Sequence, residues 1–60
     1  MKVKELIDVL SKMPSDIDVI VNGFEGFDDV DEARHCIFKD KEVVELTSDD
    51  IPVEHLLEEV

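Results

Sequence analysis

The spacing of apolar residues changes twice along the chain. Val3, Leu6, Ile7 and Leu10 fall at i, i+3, i+4 and i+7, one stripe of a 3.6-residue period, which predicts a helix over 3–12. Pro14 ends it, because the residue before a proline avoids the helical region, and Met-Pro-Ser-Asp then makes a turn. Ile17 to Val21 reads as a strand, four of its five residues being β-branched. Ile17, Val19 and Val21 share the face expected to pack on the helix; Asp18, Ile20 and Asn22 share the other. Ala33–Phe38 and Glu42–Thr47 are two further strands about Lys39-Asp40-Lys41, a spacing that calls for a tight hairpin. With Asp40-Lys41 as a two-residue turn, Ile37 faces Val44 and His35 faces Leu46 on one side, while Phe38 faces Val43 and Cys36 faces Glu45 on the other. A helical period returns at Val53, Leu56, Leu57 and Val60. Ser48, Asp49 or Asp50 can cap it and Pro52 suits its first turn, so a short helix is predicted over 51–60.

The expected fold is therefore α+β: a single domain over residues 1–60 in the order α-β-β-β-α. It has a small antiparallel three-stranded sheet, an N-terminal helix and a short C-terminal helix. Two helices cover one side of such a sheet. The other side would still carry Ile20, Phe38, Val43 and Cys36, and a contiguous apolar patch marks an interface, so a homodimer through Ile20, Phe38 and Val43 is expected. Size argues the same way. A chain of 60 residues buries only about 60% of the surface that its unfolded form exposes, and small domains lean on disulfides, metals or partner subunits. Cys36 is the sole cysteine, so no internal disulfide can form, and His35, Cys36 and His55 lack zinc-site spacing.

Charge narrows the choice of partners. Seventeen acids against six Lys and Arg give a formal net charge of −11. Direct nucleic-acid binding needs basic patches and is not expected; anionic membranes are disfavoured, and a cationic partner surface is favoured. After Lys41 come seven acids and no Lys or Arg. No stretch approaches the roughly 20 apolar residues of a membrane span. Glu5 and Asp8 interrupt the N-terminal apolar residues, so no secretion leader is read there. With a single free thiol, this points to the cytoplasm.

The densest acidic stretch is NGFEGFDDVDE, Asn22 to Glu32, with five acids, two glycines, two phenylalanines and no base. As a calcium loop it has Asp29 and Asp31 at the right spacing but lacks the glycine that should follow, so no metal site is expected. As a catalytic loop it would need carboxylates driven apart in pKa within a pocket, and a run this acidic reads as solvated. Cys36 follows His35, but strand neighbours point to opposite faces, which leaves the thiol without a base beside it. An enzyme is not expected, and neither is a cofactor. As a recognition surface the stretch makes better sense. Phe24 and Phe27 are aromatic anchors among acids, and Phe24, Glu25, Phe27, Asp28, Asp29, Asp31 and Glu32 together suit a basic, partly apolar groove on a partner. The plain alternative is a turn whose two rings fold back over the small core.

The run VKELIDVLSKMPSDIDVIVNGFEGFDD resembles small uncharacterised acidic proteins of phages and prophages. They share a V-x-E-L-I helix, a Pro-Asp turn, a V-x-V strand and a G-x-E-G-x-D-D loop, here within Val3 to Asp29. Phe27 stands where glycine is common in those loops. The resemblance implies a phage or prophage origin, action in the host cytoplasm, and binding to a host protein with a basic surface. It suggests inhibition or sequestration of a defence enzyme, as in anti-restriction and anti-CRISPR proteins, by occlusion or by nucleic-acid mimicry. Two other readings stay open: a structural or accessory dimer whose charge keeps it soluble, and a sponge for a small ligand or nucleotide at a subunit interface.

Overall fold

The computed structural model describes residues 1–60 apart from Phe24. Helix α1 spans Val3–Leu10, and the strands are β1 Asp18–Val21, β2 Glu32–Phe38, β3 Lys41–Thr47 and β4 Glu58–Glu59, with a 3-10 turn at Val53–His55 before β4. The fold is α+β as expected. The sheet, however, has four strands rather than three, is mixed rather than antiparallel, and runs in the order β1-β3-β2-β4.

The first departure concerns β1. It pairs in parallel with β3, from Asp18↔Val43 to Val21↔Leu46, while β2 takes the opposite side of β3 in antiparallel register. The chain leaving β1 must therefore step over the C-terminal end of β3 to begin β2. Two strand spacings of about 4.8 Å separate those ends. The Asn22 N–H donates to the Leu46 carbonyl at 3.0 Å on one side of this step, and the Asp31 N–H to the Thr47 carbonyl at 2.7 Å on the other. Loop 23–31 is this crossing.

The hairpin between β2 and β3 turns at Lys39-Asp40, one residue before the expected position. Both turn residues have positive φ, 53° and 64°, as in a two-residue turn whose twist matches that of the strands. Phe38 consequently pairs with Lys41, Cys36 with Val43, His35 with Val44 and Arg34 with Glu45. Moving the turn by one residue changes each partner by two positions. Two is the side-chain period of a strand, so every residue keeps its expected face while its neighbour changes. Ala33, His35, Ile37, Val44 and Leu46 share one face; Arg34, Cys36, Phe38, Val43 and Glu45 share the other, joined by Ile20 of β1.

The second departure is the C-terminus. The predicted helix over 51–60 is a single 3-10 turn followed by extended chain, and Leu56 already has strand-like angles. The Ser48 carbonyl accepts from the Ile51 N–H at 3.3 Å, but the Ser48 hydroxyl caps nothing: it is buried without a partner. β4 adds to the free edge of β2 through Cys36↔Glu59 and Ile37↔Glu58, and the Val60 N–H donates to the His35 carbonyl at 2.9 Å. The C-terminal segment thus crosses the Glu45 face of the sheet, where the sequence suggested an open dimer surface. Val43 is fully buried, and Ile20 and Phe38 are half-buried.

On the other face Val44 is 2% exposed, so it too is covered, and α1 with the 11–17 turn is the remaining cover. α1 lies against β2. Its half-buried stripe is Leu6, Val9 and Leu10, continued by Met13, and not the Val3-Leu6-Ile7-Leu10 stripe expected; Val3 and Ile7 are largely exposed. Val19 and Val21 were expected under the helix. On an edge strand that α1 does not reach, they are 54% and 56% exposed. The Glu5 carboxylate accepts from the Lys2 backbone N–H at 2.9 Å and fixes the helix start.

Candidate functional site

Two regions carry unusual side-chain chemistry. The first is the acidic crossing, anchored at its root and exposed at its tip. Gly23 has φ 82°, and the methyl end of Ile51 packs where a Cβ would stand, so both the backbone and the space call for glycine. From Glu25 to Asp29 the chain is exposed. Glu25, Phe27, Asp28, Asp29, Asp31 and Glu32 are all exposed, and Phe27 is wholly so at 106% of its reference area. Phe27 therefore does not fold back over the core. Phe24, the other expected anchor, lies outside the described residues. The five carboxylates make no ion pair with a described residue. Among them Asp28 accepts locally, its Oδ1 from the Asp29 N–H at 2.8 Å, while the loop backbone is tied to the chain start by the N-terminal ammonium, which donates to the Val30 carbonyl at 2.8 Å. Glu32 opens β2, opposite Thr47. The structure thus brings the expected acids together along one exposed crossing.

The second region was not anticipated. Glu45, in the middle of the central strand, has no exposed surface. Its Oε1 accepts from Arg34 at 2.7 Å and lies 3.6 Å from Cys36 Sγ, while its Oε2 accepts from the Asn22 side-chain amide at 2.6 Å and from the Leu57 backbone N–H at 3.1 Å. Four donors match the roughly four lone-pair directions of a carboxylate, the condition under which a buried charge is tolerable. Arg34 extends the network to the Leu57 carbonyl at 3.3 Å and to Glu59 at 3.3 Å, and Asn22 extends it to the His55 carbonyl at 2.9 Å. Burial opposes the Arg34 charge, but the groups around it, the Glu45 and Glu59 carboxylates among them, outweigh that opposition and its pKa is raised.

This cluster disfavours the thiolate form of Cys36. Burial pushes the thiol up to about 11; the Arg34 charge offsets part of this and the Glu45 carboxylate adds to it. A thiol so placed stays protonated at neutral pH, the opposite of what a nucleophile needs. His35 does not serve it either, since its Nε2 lies 2.8 Å from Glu42 Oε1 on the other face of the sheet. Among the described residues, no group of three or more His, Cys, Asp and Glu is placed to hold a metal ion, and no helix is long and apolar enough to cross a membrane.

A groove of about 320 Å³ lies beside the Glu45 cluster, lined by Ile20, Val21, Asn22, Phe38, His55 and Leu57. His55 is exposed on the 3-10 turn at its rim. Comparison of the chain with known families, with curated proteins and with solved structures finds no match in any of the three.

Proposed function

We propose that this chain is a non-enzymatic binding protein that docks through its acidic crossing, residues 22–32, onto a basic and partly apolar surface of a partner protein. The observation that carries the reading is Phe27, fully exposed among carboxylates that no described cation neutralises. Burying a phenylalanine ring is worth about 1.5–3 kcal/mol, which this fold forgoes in a chain with little core to spare. Anchor and charges divide the labour. The acids steer the approach and raise the on-rate, and the ring fills a pocket and slows dissociation.

An exposed ring among the acids suits occlusion of a mixed apolar and basic surface, the reading favoured here over nucleic-acid mimicry. On the resemblance to phage and prophage proteins, the proposed partner is a host protein, a defence enzyme inhibited by blocking. The proposed homodimer moves to a different surface. Val43 is internal, whereas Val19 and Val21 on the free edge strand β1 remain exposed. Sedimentation equilibrium at tens of micromolar should give a dimer mass that Val21→Lys converts to a monomer mass; a monomer in both refutes it.

The test of function is affinity capture from host lysate at low and moderate salt, followed by binding rates for the captured protein. Replacing Asp28, Asp29 and Asp31 by Asn should slow association and flatten its salt dependence. Phe27→Ala should raise the off-rate. Unaltered binding by both variants refutes the docking surface.

A further inference from the structure

Glu45 raises a question that the docking loop does not answer. Withdrawing a carboxylate from water costs several kcal/mol even when it is paired, and a well-packed apolar side chain at the same place is often as stable or more so. What this carboxylate does is fix positions. Its bonds hold the Asn22 amide and the Leu57 backbone, and through Asn22 the His55 carbonyl. Asn22, His55 and Leu57 are half of the groove lining; Ile20, Val21 and Phe38 are the apolar remainder. The groove therefore has walls set by a buried polar network, as sites that must be ready before a ligand arrives do.

We propose that this groove binds an uncharged, planar heteroaromatic molecule of nucleobase to nucleoside size. Its volume, about 320 Å³, lies at the low end of the ~300–1,000 Å³ range of ligand sites, which selects a small occupant. Ile20, Phe38 and Leu57 offer a ring an apolar bed. The polar groups are few. The exposed His55 imidazole makes no side-chain hydrogen bond with a described residue, and when neutral it presents one donor and one acceptor. The two nitrogens diverge, so one of them makes a single bond to the ligand, donating to a ring nitrogen or accepting from an N–H on the edge of a heteroaromatic ring. Charge selects as well. No Lys or Arg lines the groove, and the chain carries −11, so a phosphate or carboxylate on the ligand is disfavoured. Lys39, with Nζ 5.2 Å from the centre of the Phe38 ring, would by itself favour a phosphate, so the comparison with AMP sets it against the net charge of the chain. This site shares Asn22 with the root of the docking loop but uses neither the loop's acids nor Phe27.

The experiment is a titration of the ¹⁵N-labelled chain with adenosine and, separately, with AMP, read by amide shifts. Adenosine should shift Ile20, Val21, His55 and Leu57 saturably, and AMP should bind more weakly. His55→Ala should weaken adenosine about two- to tenfold, the worth of one net hydrogen bond. Leu57→Trp should fill the groove and abolish the shifts while the spectrum stays dispersed. No saturable shift with adenosine, shifts confined to residues outside the groove, or tighter binding of AMP each overturns the proposal. If Leu57→Trp loses dispersion, the wild-type titration and His55→Ala decide, and full adenosine affinity in His55→Ala counts against it.

Discussion

Replacing Glu45 by Leu tests the energetic reading of the central strand most directly. The substitution suits a β-strand and fills similar space, so an account based on the hydrophobic core alone expects gain or neutrality. The hydrogen bonds say otherwise. Arg34, only 15% exposed at its side chain, loses its closest counter-charge, and breaking a buried pair from one side costs about 3–5 kcal/mol. The Leu57 N–H loses its acceptor, which adds about 1–3 kcal/mol. A domain of 60 residues at about 0.05–0.15 kcal/mol per residue has only about 3–9 kcal/mol in all. Glu45→Leu should therefore unfold the chain or leave it barely folded. Arg34→Met should cost about 3–5 kcal/mol, because it strands the carboxylate instead. The double variant removes both charges and leaves chiefly the Leu57 N–H unpaired, so it should lose only about 1–3 kcal/mol and be more stable than either single variant. The chain has no Trp and no Tyr, so urea melts followed by far-ultraviolet circular dichroism are the assay. Glu45→Leu within about 1 kcal/mol of wild type, or a double variant that equals the sum of the singles, would refute the reasoning.

Three further outcomes are expected. The Cys36 thiol titrates at about 11 in the fold against 9.0 when free. A raised pKa on a group that is neutral when protonated adds stability that is complete below pH 9 and lost as pH rises towards 11, roughly 2–3 kcal/mol in all; Cys36→Ala should lack this loss in alkaline melts, and parallel curves would disprove it. Gly23→Ala should destabilise by at least about 1–2 kcal/mol, since it places a side chain at φ 82° and against Ile51, and an unchanged urea midpoint would show that the loop root is not fixed. Asn at Asp28, Asp29 and Asp31 should leave the Tm within about 4 °C or raise it, because like charges are removed from an exposed segment, whereas a large fall would make those acids structural.

The helix, the three long strands and the hairpin are legible in the sequence because each depends on local period and turn chemistry. The face of every hairpin residue is legible too, since parity survived the misplaced turn. Strand order is not. A long loop after β1 fits a return beside β2 or a crossing to the far side of β3, and nothing in the apolar pattern separates the two. The C-terminus misled for another reason. Val53, Leu56, Leu57 and Val60 do fit a helix, but Pro52 leaves few residues to nucleate one, and tertiary partners claim the backbone. The Leu57 N–H goes to Glu45 and the Val60 N–H to His35. Glu45 reads in the sequence only as a strand residue opposite Cys36. The signal that exposes it is Arg34, which stands opposite once the turn is set at Lys39-Asp40. The expected turn at Asp40-Lys41 put Cys36 there and hid the ion pair.

Asn22 explains how one small fold can hold a fixed groove and a free loop side by side. Its backbone N–H closes the last bond of β1 to Leu46, and its amide binds the buried carboxylate and the His55 carbonyl. One residue on, Gly23 is seated against Ile51. From Glu25 to Asp29 no side chain bonds to the sheet; the backbone is held again at the Val30 carbonyl, by the N-terminal ammonium, and at the Asp31 N–H, by Thr47. The crossing over β3 requires a loop of some length, while the anchoring at its two roots leaves the composition of its tip unconstrained by folding. Acids and an exposed ring can collect there without weakening the core. That separation is why the triple Asn variant should fold like wild type while Asn22→Ala, which strips Glu45 and His55 of a shared donor, should loosen the groove wall and the C-terminal segment together.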